Sequence, residues 1–327
     1  GRLVRSGRRA AKVTARTRRY VGLRNLSLST RSLKLLLTAA MAVLLVALGV
    51  AGVTAVEADR TRLVVVATSD LHGHIYPIDY FTNQADEGGL AQIYTYVKQV
   101  RSDNPNVLLV DNGDVLEGGN SVLPYHYMFD SSAPNPMIKV MNLMGYDSMS
   151  LGNHELNYGL KTLGKAISEA KFPVVSANIV REDGESFIQP YMIRDFGELK
   201  VGVLGITTPK VPTWEKPENI EGLVFMNPLE VALKYIPQMR AQGADVVIIV
   251  GHTGWERKPK DSGKLEAWGN PDNWVDTGQA EENWALRLAN NVPGLDAIVA
   301  GHDHLAVPMV AKMGDIVATD VIITQPG

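Results

Sequence analysis

Five strand-length apolar segments of this chain each run directly into aspartate, asparagine or histidine. The segments are residues 64–69, 107–110, 149–151, 246–250 and 297–300. The polar residues that follow are Asp70 and His72, Asp114, Asn153 and His154, His252, and His302 and His304. Short and continuously apolar runs are typical of strands that are buried on both faces. Their common ending predicts one functional site along the carboxyl edge of a sheet.

Helical patterns separate these strands and set the fold class. They cover residues 89–101, 137–144, 159–171, 227–242 and 279–290. Residues 181–207 have the pattern of a β-hairpin, and residues 115–136 that of an irregular loop. Alternating strands and helices predict an α/β domain over residues 59–327, and the hairpin predicts a mixed sheet rather than a purely parallel one.

The N-terminal part predicts a membrane-directed segment. Residues 1–34 hold 11 of the 32 Lys and Arg residues, and residues 35–56 contain no charged residue. As a helix this stretch would span ~33 Å, against a hydrocarbon core of ~30 Å. We therefore expect a basic cytoplasmic arm over 1–34 and a signal sequence or membrane anchor over 35–58. Small residues near Ala58 favour cleavage, whereas the length of the apolar run favours retention.

That order also predicts where the rest of the chain is delivered. Because the basic flank stays inside, residues from 59 onward would lie outside the cytoplasm, at the cell surface or as a secreted or periplasmic domain. After residue 58, 21 basic residues stand against 34 acidic ones. Such an acidic body is unsuited to binding a DNA or RNA polymer. A phosphate-ester substrate would require bound cations to supply local positive charge.

The absence of cysteine restricts the chemistry of the site. Disulfides, thiolate zinc sites and thiol nucleophiles are excluded. A metal site must use histidine, aspartate and asparagine, which suits Mn, Zn, Fe, Co or Mg. Five of the seven histidines follow the apolar segments, and this ligand set exceeds what one cation needs. Two divalent cations sharing a carboxylate would fit it, with a hydroxide generated there attacking phosphorus.

Five motifs in order resemble those of the calcineurin-like metallophosphoesterases. They are Asp70-x-His72, Gly113-Asp114, Gly152-Asn153-His154-Glu155, Gly251-His252 and Gly301-His302-Asp303-His304. Further sequence around Thr68–Gly73 and Asn153–Gly159 is similar to the branch containing 5'-nucleotidases and 2',3'-cyclic-nucleotide 2'-phosphodiesterases. The resemblance implies a four-layer α/β/β/α sandwich with mixed sheets and a substrate that is a nucleotide or another small phosphate ester.

The resemblance also implies a role for each residue. Asp70, His72 and His304 would hold the first metal, Asn153, His252 and His302 the second, and Asp114 would bridge them. His154 would stabilise the transition state and assist the leaving oxygen. Asn157 occupies the position where 5'-nucleotidases carry an orienting aspartate, and asparagine should leave His154 less basic than aspartate would. A C-terminal nucleotide-binding domain that would complete the substrate site is expected to be absent from this chain.

Some alternatives stay open at this level. The same metal core could hydrolyse another ester, such as a UDP-sugar, a sugar phosphate or a thiosulfonate. A non-catalytic, membrane-tethered metal-binding surface protein is the other possibility. The loop over 255–278 contains Trp255, Trp268 and Trp274, which would either contact a substrate base or pack the loop. His74 and His126 are expected to be solvated loop histidines.

Overall fold

Two β-sheets pack face to face in the computed structural model, with helices on the outer face of each sheet. The structure describes residues 61–86, 88–117, 122–129, 131–261, 274–311 and 322–326. The basic arm predicted over 1–34 and the signal or anchor predicted over 35–58 lie outside these ranges. Within the ranges described, no helix has the length and apolarity required to cross a bilayer.

The elements follow one another in the alternating order that the sequence predicts. The strands are β1 (Val64–Thr68), β2 (Val107–Asp111), β3 (Ser148–Ser150), β4 (Val174–Val175), β5 (Ile179–Arg181), β6 (Tyr191–Asp195), β7 (Lys200–Thr207), β8 (Leu223–Phe225), β9 (Val246–His252), β10 (Arg257–Pro259), β11 (Trp274–Asp276), β12 (Ala297–Ala300), β13 (Ala306–Ala311) and β14 (Ile322–Pro326). The helices are α1 (Leu90–Asp103), α2 (Val122–Phe129), α3 (Pro136–Met144), α4 (Gly159–Glu169), α5 (Pro228–Ala241) and α6 (Ala285–Asn291).

The two large sheets differ in strand direction. The first has four parallel strands in the order β1-β2-β3-β4. The second has six strands in the order β13-β14-β12-β9-β7-β6, where β6 and β13 are antiparallel edges on a parallel centre. The prediction of a mixed sheet from the hairpin is confirmed. Two small antiparallel pairs, β5 with β8 and β10 with β11, lie outside these sheets.

Strand side chains alternate between two apolar layers, which explains why the segments are continuously apolar. In β9, Val247 and Ile249 pack against α5 and α6. Ile248 and Val250 instead pack between the sheets, together with Leu108 of β2. Successive strand residues point to opposite faces, so both faces must be apolar when both are covered. Each such buried side chain contributes ~1.5–3 kcal/mol.

A third apolar cluster lies on the outer face of the first sheet and completes the layers. It joins α1, α3 and α4 to that sheet through residues such as Leu90, Met137 and Leu163. The order is therefore helices, sheet, sheet, helices. The predicted four-layer α/β/β/α sandwich is confirmed, while the N-terminal helix predicted before it falls outside the described residues.

Three predictions from the sequence are wrong in detail. The expected irregular loop over 115–136 contains α2, where His126 is only 7% exposed rather than solvated. Pro124 had indicated a loop, but it lies in the first helical turn, where a missing N–H costs no hydrogen bond. The expected helix over 279–290 begins only at Ala285, because the backbone N–H groups of Trp284 and Ala285 donate to Thr253 Oγ1 and the Gly254 carbonyl instead of to carbonyls four residues earlier.

Candidate metal centre and catalytic site

The predicted ligand residues converge where strands of the two sheets end. Two groups of three have ligand atoms that all lie within 4.8 Å of one another: Asp70, His72 and His304, and Asp114, His252 and His302. The seventh predicted ligand, Asn153, places its Oδ1 3.2 Å from His252 Nε2. The first sheet supplies Asp70, His72, Asp114 and Asn153, and the second supplies His252, His302 and His304. The fold thus brings together all seven residues that the sequence singled out.

The first group presents two imidazoles and one carboxylate to a common point. His72 Nε2 lies 3.3 Å from His304 Nε2, and His304 Nε2 lies 3.3 Å from Asp70 Oδ1. Asp70 Oδ1 is buried and accepts no hydrogen bond from the described residues. Its other oxygen accepts hydrogen bonds from Ser69 Oγ and from the His302 backbone N–H. A buried carboxylate oxygen that faces two ring nitrogens fits a divalent cation such as Zn or Mn.

The second group is more deeply buried and strongly favours positive charge. His252 is 0% exposed, and its Nε2 lies 3.0 Å from Asp114 Oδ2 and 4.0 Å from Asp70 Oδ1. Burial alone would lower the pKa of His252, but Asp114 and Asp70 raise it to about 10. His252 Nδ1 contacts the Asn112 carbonyl at 2.7 Å, which leaves Nε2 as the ligand atom. A divalent cation would supply the charge that these carboxylates favour.

The backbone around Asp114 is packed so closely that Gly113 and Gly152 have no room for a side chain. Its Oδ1 accepts the backbone N–H of His154 at 2.8 Å. A Cβ on Gly152 would lie 2.2 Å from that oxygen, and a Cβ on Gly113 would lie 2.3 Å from the Gly152 nitrogen. Glycine is therefore required at both positions, and the pair fixes the loop after β2 against the loop after β3.

The ligand residues carry an unusual backbone conformation. Among the described residues, six that are not glycine have positive φ, and five of them are predicted ligands: Asp70, His72, Asp114, His302 and His304. Non-glycine residues rarely adopt this region, and each instance costs ~1–3 kcal/mol. Such backbone persists where the surrounding structure fixes it, which is typical of functional sites.

His154 lies beside the ligand groups and is held by polar neighbours. Its Nδ1 lies 2.6 Å from Asn157 Oδ1 and 3.5 Å from Glu117 Oε2. Burial alone would lower the pKa of His154, but Asp114, Asn157 and Glu117 raise it above the ordinary value. His72, Glu117 and His154 also form a third group with ligand atoms within 4.8 Å of one another. Its assignment as a proton donor rather than a ligand stays a prediction.

Glu155, which follows His154, supports the backbone of the site. Its buried carboxylate accepts four backbone N–H groups at 2.6 to 3.0 Å, from Asp114, Val115, Leu116 and Gly152. These bonds join the loops that carry Asp114 and Asn153. Glu155 therefore positions ligands and is not itself one of the ligand groups described above.

His302 has two neighbours that the sequence did not indicate. Its Nε2 lies 2.5 Å from Glu282 Oε1, and its ring stacks on Trp214 with centroids 5.5 Å apart and an interplanar angle of 28°. Trp214 is 49% exposed. Glu117 and Trp214 lie in loops without periodicity, and Glu282 precedes the observed start of the last helix, so only the folded chain shows that they reach the site.

Two of the three tryptophans of the 255–278 segment, Trp255 and Trp274, pack in the protein interior. Trp255 is 0% exposed and Trp274 is 4% exposed, and their rings meet edge to face at 5.8 Å. Both belong to the apolar cluster beneath α5 and α6. Between these two alternatives the structure selects packing, since neither indole is accessible to a substrate base. Trp268 lies outside the described residues.

Comparison with known proteins identifies the same family that the sequence motifs resemble. A family model described as calcineurin-like phosphoesterase matches residues 63–306. The trifunctional nucleotide phosphoesterase protein YfkN of Bacillus subtilis is 35% identical over 273 residues, which cover 79% of this chain and 17% of that protein. A 2',3'-cyclic-nucleotide 2'-phosphodiesterase/3'-nucleotidase of Haemophilus influenzae is 34% identical over 258 residues, which cover 75% and 36%.

A solved structure confirms that the fold is shared. The crystal structure of the calcineurin-like phosphoesterase YfkN from Bacillus subtilis matches with a TM-score of 0.65 and 33% identity, covering 80% of each chain. The chain spans only 17% and 36% of the length of the two curated relatives. The family match nevertheless extends over most of the chain, from the first strand to the last predicted ligands. The chain belongs to the calcineurin-like phosphoesterase family.

Proposed function

We propose that this protein is an exported two-metal phosphoesterase that hydrolyses nucleotides. The observation that carries the proposal is the meeting of seven metal-competent side chains from two sheets, with His252 Nε2 3.0 Å from Asp114 Oδ2 at its centre. Asp70, His72 and His304 would hold one cation, and Asn153, His252 and His302 the other, with Asp114 shared. Export is supported by the uncharged stretch over 35–56 that follows a basic arm.

The bound cations and the chain would have separate tasks. When bound, two divalent cations would neutralise charge on the phosphoryl oxygens and activate water for attack on phosphorus. His154 would give the departing ester oxygen its proton. Because its Nδ1 is engaged by Asn157 at 2.6 Å, Nε2 is the ring atom that can make this transfer. A raised pKa keeps the imidazole protonated nearer neutral pH, as a general acid requires.

The proposed substrates are 2',3'-cyclic nucleotides and 3'- or 5'-nucleotides. The names of the two curated relatives support this class, since both are nucleotide phosphoesterases. The resemblance implies that 5'-nucleotidases carry an aspartate at the position of Asn157. The asparagine in this chain therefore favours the cyclic-nucleotide branch. A UDP-sugar, a sugar phosphate or a thiosulfonate ester is the alternative for the same metal core.

A metal-replacement experiment with a substrate panel tests the proposal. Protein treated with a chelator should be inactive, and Mn, Co or Zn should restore hydrolysis. The panel contains 2',3'-cyclic AMP, 3'-AMP, 5'-AMP, bis(4-nitrophenyl) phosphate, a UDP-sugar, a sugar phosphate and a thiosulfonate. Nucleotides should have the highest kcat/KM. Preference for another ester would support the alternative, and metal binding without hydrolysis of any ester would support the non-catalytic surface protein.

Trp214 is expected to contribute to nucleotide affinity. One face of its indole stacks on His302, yet the side chain is 49% exposed at the edge of the candidate site. Stacking of a base on an aromatic ring is worth ~1–3 kcal/mol. Trp214→Ala should therefore lower kcat/KM for 2',3'-cyclic AMP by ~5–100-fold, mainly through KM.

Two comparisons make the test of Trp214 specific. Trp214→Phe keeps an aromatic face and should recover most of the lost kcat/KM. Hydrolysis of glycerol 2-phosphate, which has no aromatic group, should change little in Trp214→Ala. Equal losses for glycerol 2-phosphate and cyclic AMP would show that Trp214 supports His302 rather than the substrate.

A further inference from the structure

Asn157 lies between His154 and a glutamate from a distant loop. Its Oδ1 is 2.6 Å from His154 Nδ1, and its Nδ2 donates to Glu215 Oε2 at 2.5 Å. Asn219 Nδ2 donates to Glu215 Oε1 and to the Asn157 carbonyl, both at 2.8 Å. Glu215 and Asn219 lie 58 and 62 residues beyond Asn157 in sequence. The contact therefore exists only in the folded chain.

The carboxylate determines which way the Asn157 amide points. An ionised carboxylate only accepts hydrogen bonds, whereas an amide accepts through oxygen and donates through nitrogen. Glu215 thus requires the amide nitrogen, and the amide oxygen must face His154. Turning the amide around would place two oxygens 2.5 Å apart at Glu215. Without Glu215, either orientation of the amide could meet an imidazole nitrogen.

This orientation fixes the protonation pattern of the imidazole. Because Asn157 offers an acceptor, His154 Nδ1 carries the hydrogen, and the lone pair of the neutral ring lies on Nε2. Glu117 Oε2 is also near Nδ1, but at 3.5 Å it is beyond a good hydrogen bond. The amide bonded to Glu215 is also polarised, which makes its oxygen a stronger acceptor.

We propose that Glu215 is a positioning residue for His154 and acts through Asn157. The inference rests on the proposed function, in which His154 Nε2 donates the proton to the leaving group. The neutral asparagine holds the ring directly, and the negative charge is placed one side chain further away. Replacing Asn157 by aspartate would then not improve the site, because two carboxylates would face each other. A compensating change at Glu215 should correct this.

A four-variant cycle tests the proposal by activity. The variants are Asn157→Asp, Glu215→Gln, the double variant, and Glu218→Gln as the control. Glu218 is an exposed carboxylate on the same segment. With 2',3'-cyclic AMP, whose leaving group is an alkoxide that needs a proton, Asn157→Asp should lower kcat ~10-fold above neutral pH with unchanged metal content, as repulsion of ~1.4 kcal/mol would. The double variant should return to within ~3-fold of wild type, because the amide introduced by Glu215→Gln can donate to the new carboxylate.

Nitrogen NMR of the histidine rings provides a readout that does not depend on turnover. At alkaline pH, where the ring is neutral, wild-type His154 should show a protonated Nδ1 and an unprotonated Nε2. In Glu215→Leu the two signals should move toward averaged values, whereas Glu218→Leu should match wild type. A fixed Nδ1–H form in Glu215→Leu, or a double variant no more active than Asn157→Asp, would overturn the proposal. Wild-type protein that hydrolyses nothing would instead refute the proposed function, and the NMR result would still decide the positioning role.

Discussion

Asp114→Asn is expected to remove nearly all turnover, by more than ~10²-fold, together with much of the bound metal. One oxygen of Asp114 lies 3.0 Å from His252 Nε2, and the other accepts the His154 backbone N–H at 2.8 Å. An amide has only one oxygen, so its NH₂ group would face either His252 or that N–H. The change also removes negative charge from the centre of the ligand set. Metal analysis and kcat/KM for bis(4-nitrophenyl) phosphate measure both effects.

Asp111→Asn is the matched control for this variant. Asp111 is also buried at the end of β2, where it accepts hydrogen bonds from Thr68 Oγ1 at 2.6 Å and from the Gly113 N–H at 2.9 Å. Burial raises the pKa of Asp111 well above its usual range, which favours the neutral carboxylic acid. An asparagine amide is also neutral and has nearly the same shape. The control should therefore keep most of its metal and turnover. Full turnover in Asp114→Asn would show that no shared carboxylate is needed.

His154→Asn is expected to lower kcat by ~10²–10⁴-fold while metal content stays close to that of wild type. His154 bonds to Asn157 at 2.6 Å and is assigned to the leaving group rather than to a cation. A proton donor acts in its protonated form, so the wild-type rate should fall as pH rises past the pKa of His154. Without bound cations, Asp114, Asn157 and Glu117 hold that pKa above its ordinary value, so the position of the decline also reports how far bound cations offset Asp114. In His154→Asn the decline should disappear.

The same measurements distinguish a proton donor from a metal ligand. His72, Glu117 and His154 lie close enough to form a cation site, so loss of metal in His154→Asn would make His154 a ligand. His74→Asn provides a control at a half-buried histidine near Asp86, outside the three ligand groups. It should keep the wild-type rate and pH profile.

The sequence predicted the parts of the site that local pattern determines. The apolar strands that lead to Asp114 and His252 can be predicted before the fold is known, because the pattern of apolar residues along the sequence indicates a buried strand. The same runs predict that both faces of each strand are covered, whereas the four-layer arrangement was implied by the resemblance to the calcineurin-like metallophosphoesterases. Contacts between distant loops could not be predicted in this way. Glu215 reaches Asn157, and Glu282 reaches His302, through tertiary structure alone.

The same limit applies to the tryptophans and to the charges around His154. Three indoles in one segment left contact with a substrate base and packing of the loop both open. Trp255 pairs with Trp274 in the core, and among the described residues Trp214 is the exposed indole. From the sequence, Asn157 is expected to leave His154 less basic than an aspartate at the same position would. The charge is nevertheless present at Glu117 and Glu215, which lie beside the imidazole and beside the amide.

The division of ligands between two sheets gives the apolar layer between them a chemical consequence. Asp70 and Asp114 belong to one sheet and His252 to the other. The distance between these ligands depends on the size of the side chains, such as Leu108 and Ile248, that fill the layer between the two sheets. Protein interiors are packed so closely that adding or removing one methylene shifts the neighbouring groups. Divalent cations differ in the ligand distances and coordination geometries that they prefer. A lineage could therefore drift from one metal to another by exchanging aliphatic residues in this layer, with every ligand unchanged.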